Sequence, residues 1–164
     1  MKEKLKKYIK EIIVFVVVLT IAANVISYYR SQDLNKEKLD LKTVTLLDGS
    51  LHKIPNDKPI LLHFWATWCP TCKIEAPNIE KISKDYEVIT IAVQSGTKKQ
   101  IQNYLNEHKL TFKVINDENG FYSRKFKIQA FPTTLIYDSK KSLKFSEVGY
   151  TSTLGLYARI AFLK

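Results

Sequence analysis

Cysteine is scarce in this chain. There are two in 164 residues, Cys69 and Cys72, separated by Pro70 and Thr71. So few cysteines argue against a disulfide-stapled scaffold, which would need further pairs. They also argue against a zinc site, because a Cys-x-x-Cys pair needs two more ligands and no second cysteine pair or histidine pair exists. Covalent haem attachment would require a histidine after Cys72, where Lys73 stands. A structural bridge rarely closes so short a loop. What remains is thiol–disulfide exchange, in which one sulfur attacks a partner and the other resolves the mixed disulfide.

Acidic residues are also in the minority, 16 against 26 Lys and Arg, leaving a net charge of +10. Beyond a lysine cluster within the first eleven residues, the basic residues are scattered in short pairs such as Lys98-Lys99 and Lys140-Lys141. Scattered lysine reads as a solvated surface, so no nucleic-acid partner is expected. Charge vanishes altogether from Ile12 to Tyr29. As a helix this run is ~27 Å long, close to the ~30 Å hydrocarbon core of a bilayer. Tyr28 and Tyr29 fall where interfacial aromatics belong, and Arg30 closes the segment. The lysines before it predict a single-pass anchor in the inner (cytoplasmic) membrane, with Ser31 onward on the periplasmic or other extracytoplasmic side. A cleaved signal peptide is the rival reading, although no clean A-x-A site follows the apolar run. Either way the cysteines are exported, into a compartment where a dithiol stays reduced only with a supply of electrons.

Composition therefore divides the chain into a basic stub and anchor (1–30), a polar spacer (31–40) and one domain (41–164). Within the domain, 41–47 and 50–54 flank Asp48-Gly49, a hairpin signal. Residues 60–66 and 88–93 are nearly continuous apolar runs, as expected of strands buried on both faces. A helix is predicted from the dithiol to Tyr86, with Pro77 inside it and Ile74, Ile79, Ile82 and Tyr86 as its buried stripe. Gln94-Ser95-Gly96 breaks the chain after the second run, and Thr97 is placed to cap a helix reaching His108. Strand-like 111–115 follows, then a short helix over 121–126 and a hairpin of 133–137 with 143–148. A terminal helix over 151–163 is expected to bury Leu154, Tyr157, Ile160 and Ala161. Strands alternating with helices indicate an α/β domain. No repeats or low-complexity segments interrupt it.

The string HFWATWCPTC (63–72) resembles the strand-to-active-site segment of the thioredoxin superfamily. Ala76-Pro77 matches that family's helix kink, Phe131-Pro132-Thr133 its cis-proline loop, and Val148-Gly149 with the last helix its closing elements. Within the superfamily the chain is similar to the membrane-tethered TlpA/ResA/CcmG branch. The shared features are the anchor, the early hairpin, the Cys-x-x-Cys-x-x-Glu pattern ending at Glu75, and the long interval from Cys72 to Pro132. VITIAVQSG and EVGYTSTLGLYARI look most like the ScsD-type protein disulfide oxidoreductases. The resemblance implies a thioredoxin fold with an N-terminal β-hairpin and a central helix–strand insertion, preceded by one transmembrane helix.

It also implies a chemistry. Cys69, at a helix N-terminus, becomes the exposed, attacking thiolate, and Cys72, one helical turn inward, the resolving thiol, with Cys69–Cys72 as the redox-active disulfide. Pro70 has no N–H to aim at the sulfur, so a less extreme pKa is expected than free amides would give. Glu75, and His63 at the position of the family's buried acid, are candidate proton acceptors for Cys72; a solvated Glu75 and a satisfied core His63 are the structural alternatives. Trp68, Pro70, Thr71, Phe131, Pro132 (in cis) and Thr133 are candidate substrate-binding residues, and Trp65 is expected in the core. The implied activity is reduction of disulfides in exported cysteine proteins, as in cytochrome c maturation or defence against copper and oxidative stress. The implied electron donor is a membrane protein of the DsbD, CcdA or ScsB type. The enzyme is expected to be a monomer, with no metal or organic cofactor. A thiol oxidant or isomerase of exported proteins, or a non-catalytic binding module on the same fold, are the alternatives.

Overall fold

The computed structural model describes residues 2–163. A long helix, α1 (Lys2–Arg30), leads into a small antiparallel hairpin of β1 (Thr43–Thr45) and β2 (Leu51–Lys53). The main sheet follows, built from β3 (Ile60–Trp65), β4 (Glu87–Val93), β5 (Lys113–Asp117), β6 (Thr133–Tyr137) and β7 (Leu143–Val148). Its order is β5-β4-β3-β6-β7. β4 runs parallel to both β3 and β5, whereas β6 runs antiparallel to both β3 and β7. Four helices complete the domain: α2 (Pro70–Asp85), α3 (Lys98–Glu107), α4 (Phe121–Lys125) and α5 (Thr153–Ala161). The expected insertion is α3 with β5, and β5 forms one outer edge of the sheet.

β3 is central and wholly buried because its two faces feed two cores. Leu61 and Trp65 join Ile79 and Ile82 of α2, Ile101 of α3, and Leu156 and Ile160 of α5. Leu62 and Phe64 point the other way, toward Val44, Ile54, Phe126 and Leu135. Alternation along the strand places His63 on the first face, the one that also holds both cysteines. The active-site helix is thus clamped between the sheet and α5.

Four expectations need correction. Ile74 is 68% exposed, and α2 buries Cys72, Glu75, Ala76, Ile79 and Ile82 instead, so a glutamate occupies the stripe that apolar spacing assigned to Ile74. In α5 the buried residues are Leu156 and Ile160, while Leu154 and Ala161 lie in the open. β5 begins two residues late because the Glu80 carboxylate of α2 accepts the Thr111 and Phe112 N–H groups at 2.7 and 3.1 Å, holding them off the ladder.

The fourth correction concerns 31–40, which is docked rather than a free spacer. Leu34 and Leu39 are buried in the second core, and the backbone bonds Asn35 to Phe126 and Leu39 to Lys141. The docking starts inside α1, where the buried Ser27 hydroxyl accepts the Val148 N–H of β7 at 2.9 Å. Truncating a buried leucine costs about 2–5 kcal/mol, against roughly 0.5 at an open site. Leu39→Ala is therefore expected to destabilise the full chain in micelles well beyond Ile74→Ala in a denaturant titration; equal losses contradict the docking.

Candidate active site

The loop between β3 and α2 carries the dithiol, and its position follows from a few hydrogen bonds. Thr67 N–H donates to the Ser95 hydroxyl at 3.1 Å, and Cys69 N–H to the Ala66 carbonyl at 3.2 Å. Cys69 is the N-cap of α2, in extended backbone, and Pro70 opens the helix where no N–H is needed. The Cys69 sulfur accepts the Cys72 N–H at 3.2 Å, so an unpaired helix-terminal donor points at it. The two cysteines form a disulfide, with 5.3 Å between their Cα atoms.

Sequence reasoning expected Cys69 to be exposed. In the disulfide form it is 6% accessible and Cys72 2%, because both lie in the apolar cluster with Trp65 and Ala76, and Phe131 packs against that cluster. The exposed rim is Trp68 (60% accessible), Pro70 and Thr71, with half-buried Phe131 beside them. Trp68 and Phe131 meet edge to face at 5.6 Å. This pair brings the loop before β6 to the dithiol. There Phe131–Pro132 is cis, and the Pro132 carbonyl accepts the Gly149 N–H at 2.8 Å. Thr133 beside it has a buried side chain whose hydroxyl donates to the Ala130 carbonyl at 2.8 Å. Trp65 is in the core as expected, between Tyr104 and Phe112.

The two candidate proton acceptors are both buried, with opposite consequences. Burial pushes the His63 pKa down to about 3, leaving a neutral imidazole whose Nδ1 lies 2.9 Å from the Thr134 hydroxyl. Burial pushes Glu75 up to about 8; a hydrogen bond from Thr151 N–H at 3.1 Å opposes the shift, and the charge of Glu147 adds to it. Its second oxygen, Oε2, is buried without a partner. Glu75 follows Cys72 by one helical turn on the same buried face, within side-chain reach.

Sequence reasoning read Gln94-Ser95-Gly96 only as a break after a strand. The loop in fact braces the site: the Trp68 indole N–H donates to the Gln94 carbonyl at 3.2 Å, alongside the Thr67–Ser95 bond. Gln94 has a positive φ of 43°, a conformation that its residue type does not announce. Thr134 and Thr151, the partners of the two titratable groups, were also missed, since neither lies near the motif in sequence.

Three comparisons bear on this geometry. The AhpC/TSA family model matches residues 31–146. A thioredoxin-like protein of Haemophilus influenzae is 31% identical over 163 residues, covering 97% of this chain and 96% of that protein. The thiol-disulfide oxidoreductase ResA of Oceanobacillus iheyensis is 34% identical over 103 residues, which is 60% of this chain and 50% of that one. Among solved structures, a secreted Mycobacterium tuberculosis disulfide oxidoreductase homologous to Escherichia coli DsbE superposes with a TM-score of 0.65. It is 25% identical, and the match covers 74% of this chain and 95% of that one.

Glu75 gives this site a pH signature. The unfolded chain releases its proton near 4.5 and the folded one near 8, so between those values the folded state holds the extra proton. This contribution to stability therefore falls as pH rises through that window. Glu75→Gln is expected to remove that slope in unfolding titrations at several pH values; a profile that the substitution leaves unchanged contradicts the burial account.

Proposed function

The chain belongs to the AhpC/TSA family and is a thiol–disulfide oxidoreductase of the thioredoxin fold; on that premise we propose that it is tethered by α1 to the inner membrane and reduces disulfides of exported proteins. The observation that carries the reading is the Cys69 sulfur at the N-cap of α2, facing the Cys72 N–H. For the tether, α1 offers a 23-residue segment, Tyr8–Arg30, long and apolar enough to cross a bilayer. The reductive direction rests on kinship with the TlpA/ResA/CcmG branch, and so does a membrane dithiol donor of the DsbD, CcdA or ScsB type.

The reaction balances as follows. The Cys69 thiolate attacks one sulfur of the substrate disulfide and expels the other as a thiolate. Cys72, deprotonated, then attacks the Cys69 sulfur and releases the second substrate thiolate. Two electrons have moved to the substrate, and the Cys69–Cys72 disulfide remains for the donor to reduce. Glu75 is the proton acceptor for Cys72, since a carboxylate with a pKa near 8 is matched to a thiol near ~8.5. His63, with its basicity depressed to about 3, is a poor base. Trp68, Pro70, Thr71 and Phe131 form the surface that meets the substrate.

Cys72→Ser in the native membrane is expected to arrest the mixed disulfide at Cys69, and mass spectrometry of the adduct identifies the substrate. Glu75→Gln is expected to slow release from that adduct by roughly a hundredfold while leaving the initial attack nearly unchanged. An adduct that forms with cytoplasmic proteins only, or equal slowing of both steps, contradicts the proposal.

A further inference from the structure

Glu75 does not stand alone beneath the dithiol. His63 of β3, Thr134 of β6 and Glu147 of β7 are register partners on adjacent strands, so their side chains form a row on one face of the sheet. Phe145, two residues before Glu147 on β7, packs into the core that holds both cysteines, so the row lies on the face covered by α2 and α5. The Glu147 carboxylate accepts the Arg159 Nε–H of α5 at 2.6 Å. Arg159 Nη1 in turn donates to the Gly155 carbonyl, one turn earlier, at 3.0 Å. Both side chains are largely shielded, Glu147 at 15% accessible and Arg159 at 22%, so salt screens their charges less than it would at the open surface. Neither residue takes part in the exchange steps.

The corner between β7 and α5 ties this pair to Glu75. Thr151, in that corner, donates its N–H to Glu75 Oε1 at 3.1 Å, with Glu147 on the strand that enters the corner and Arg159 on the helix that leaves it. The Glu147 charge opposes ionisation of Glu75, and Arg159, held on Glu147, offsets part of that field. Also facing this region are Cys72 on α2, His63 on β3, Tyr150 in the corner and Arg30 at the end of α1. His63 is neutral, Tyr150 is exposed and accepts a hydrogen bond from Asn78, and Arg30 lines a cavity with Glu147 and Arg159. We propose that the Glu147–Arg159 ion pair is a positioning element for the exchange reaction, setting through its field the pH at which Glu75 can take the Cys72 proton. This rests on Glu75 being the proton acceptor for Cys72. The two charges act in opposite senses, so removing one or the other displaces the resolving step in opposite directions along the pH axis.

The test follows the reduced full chain, in detergent micelles, reacting with dithiobis(nitrobenzoate) by stopped flow across a range of pH. Attack by Cys69 releases one coloured thiolate, and resolution of the adduct by Cys72 releases the second. In the unaltered chain the second phase is expected to rise with pH through a midpoint that Glu75→Gln abolishes. Glu147→Gln is expected to move that midpoint to lower pH, making the second phase roughly three- to tenfold faster in mildly acidic buffer. Arg159→Gln is expected to move it to higher pH and slow the phase there by a similar factor, while Arg159→Lys keeps the charge and the original midpoint. A loss of packing alone displaces both variants the same way. Should Arg159→Gln unfold, the near-isosteric Glu147→Gln decides the case by itself. A Glu75-dependent midpoint that Glu147→Gln leaves in place or raises, or that folded Arg159→Gln fails to raise, overturns the role of the pair and leaves Glu75 as the acceptor. A second phase with the same pH profile in the unaltered chain and in Glu75→Gln overturns both.

Discussion

One short contact organises this molecule: the Cys72 N–H aimed at the Cys69 sulfur across the first turn of α2. A helix start leaves backbone donors unpaired and carries partial positive charge, so a negative sulfur is stabilised there. Much of the domain serves to hold that turn in place. Buried β3 delivers the loop, Ser95 and Gln94 brace it from behind, and α5 presses the helix back onto the sheet. Pro70 fixes the first helical residue without claiming a donor.

Beneath the turn lies a layer that an apolar core would not need. His63 and Glu75 are both buried, yet they respond in opposite senses: one loses its basicity, the other keeps its proton. The cost of burying them is partly offset by single hydrogen bonds, to Thr134 and to the Thr151 N–H, and one Glu75 oxygen is left unsatisfied. The segment that satisfies Glu75, residues 147–151, is also the one on which the end of α1 docks, at Val148. The buried face around Glu75 and the end of α1 thus share a wall.

Much of this was legible in the sequence. The continuous apolar runs marked β3 and β4, the Cys-x-x-Cys pair marked the helix start, and the family resemblance marked Pro132 and the α3–β5 insertion. Failures arose where tertiary contacts overrode local spacing. Ile74 fits an apolar stripe, but the stripe turned to bury Glu75, which only a partner distant in sequence can accommodate. Leu34 and Leu39 sit among charges that read as a spacer, and only the surface offered by the second core shows why they are buried. Phe112 has strand character, yet Glu80 captures its N–H first. The brace at Gln94 lies in a backbone carbonyl, to which side-chain identity gives no clue.

The account turns on whether Cys69 ionises easily in the reduced protein. Ultraviolet thiolate absorbance, followed against pH in the full chain and in Cys69→Ser, measures this directly. A transition well below ~8.5 that disappears with Cys69→Ser is the expected result. A transition at or above ~8.5, or one that survives the substitution, would show that the helix start does nothing for the sulfur and would contradict the account at its base.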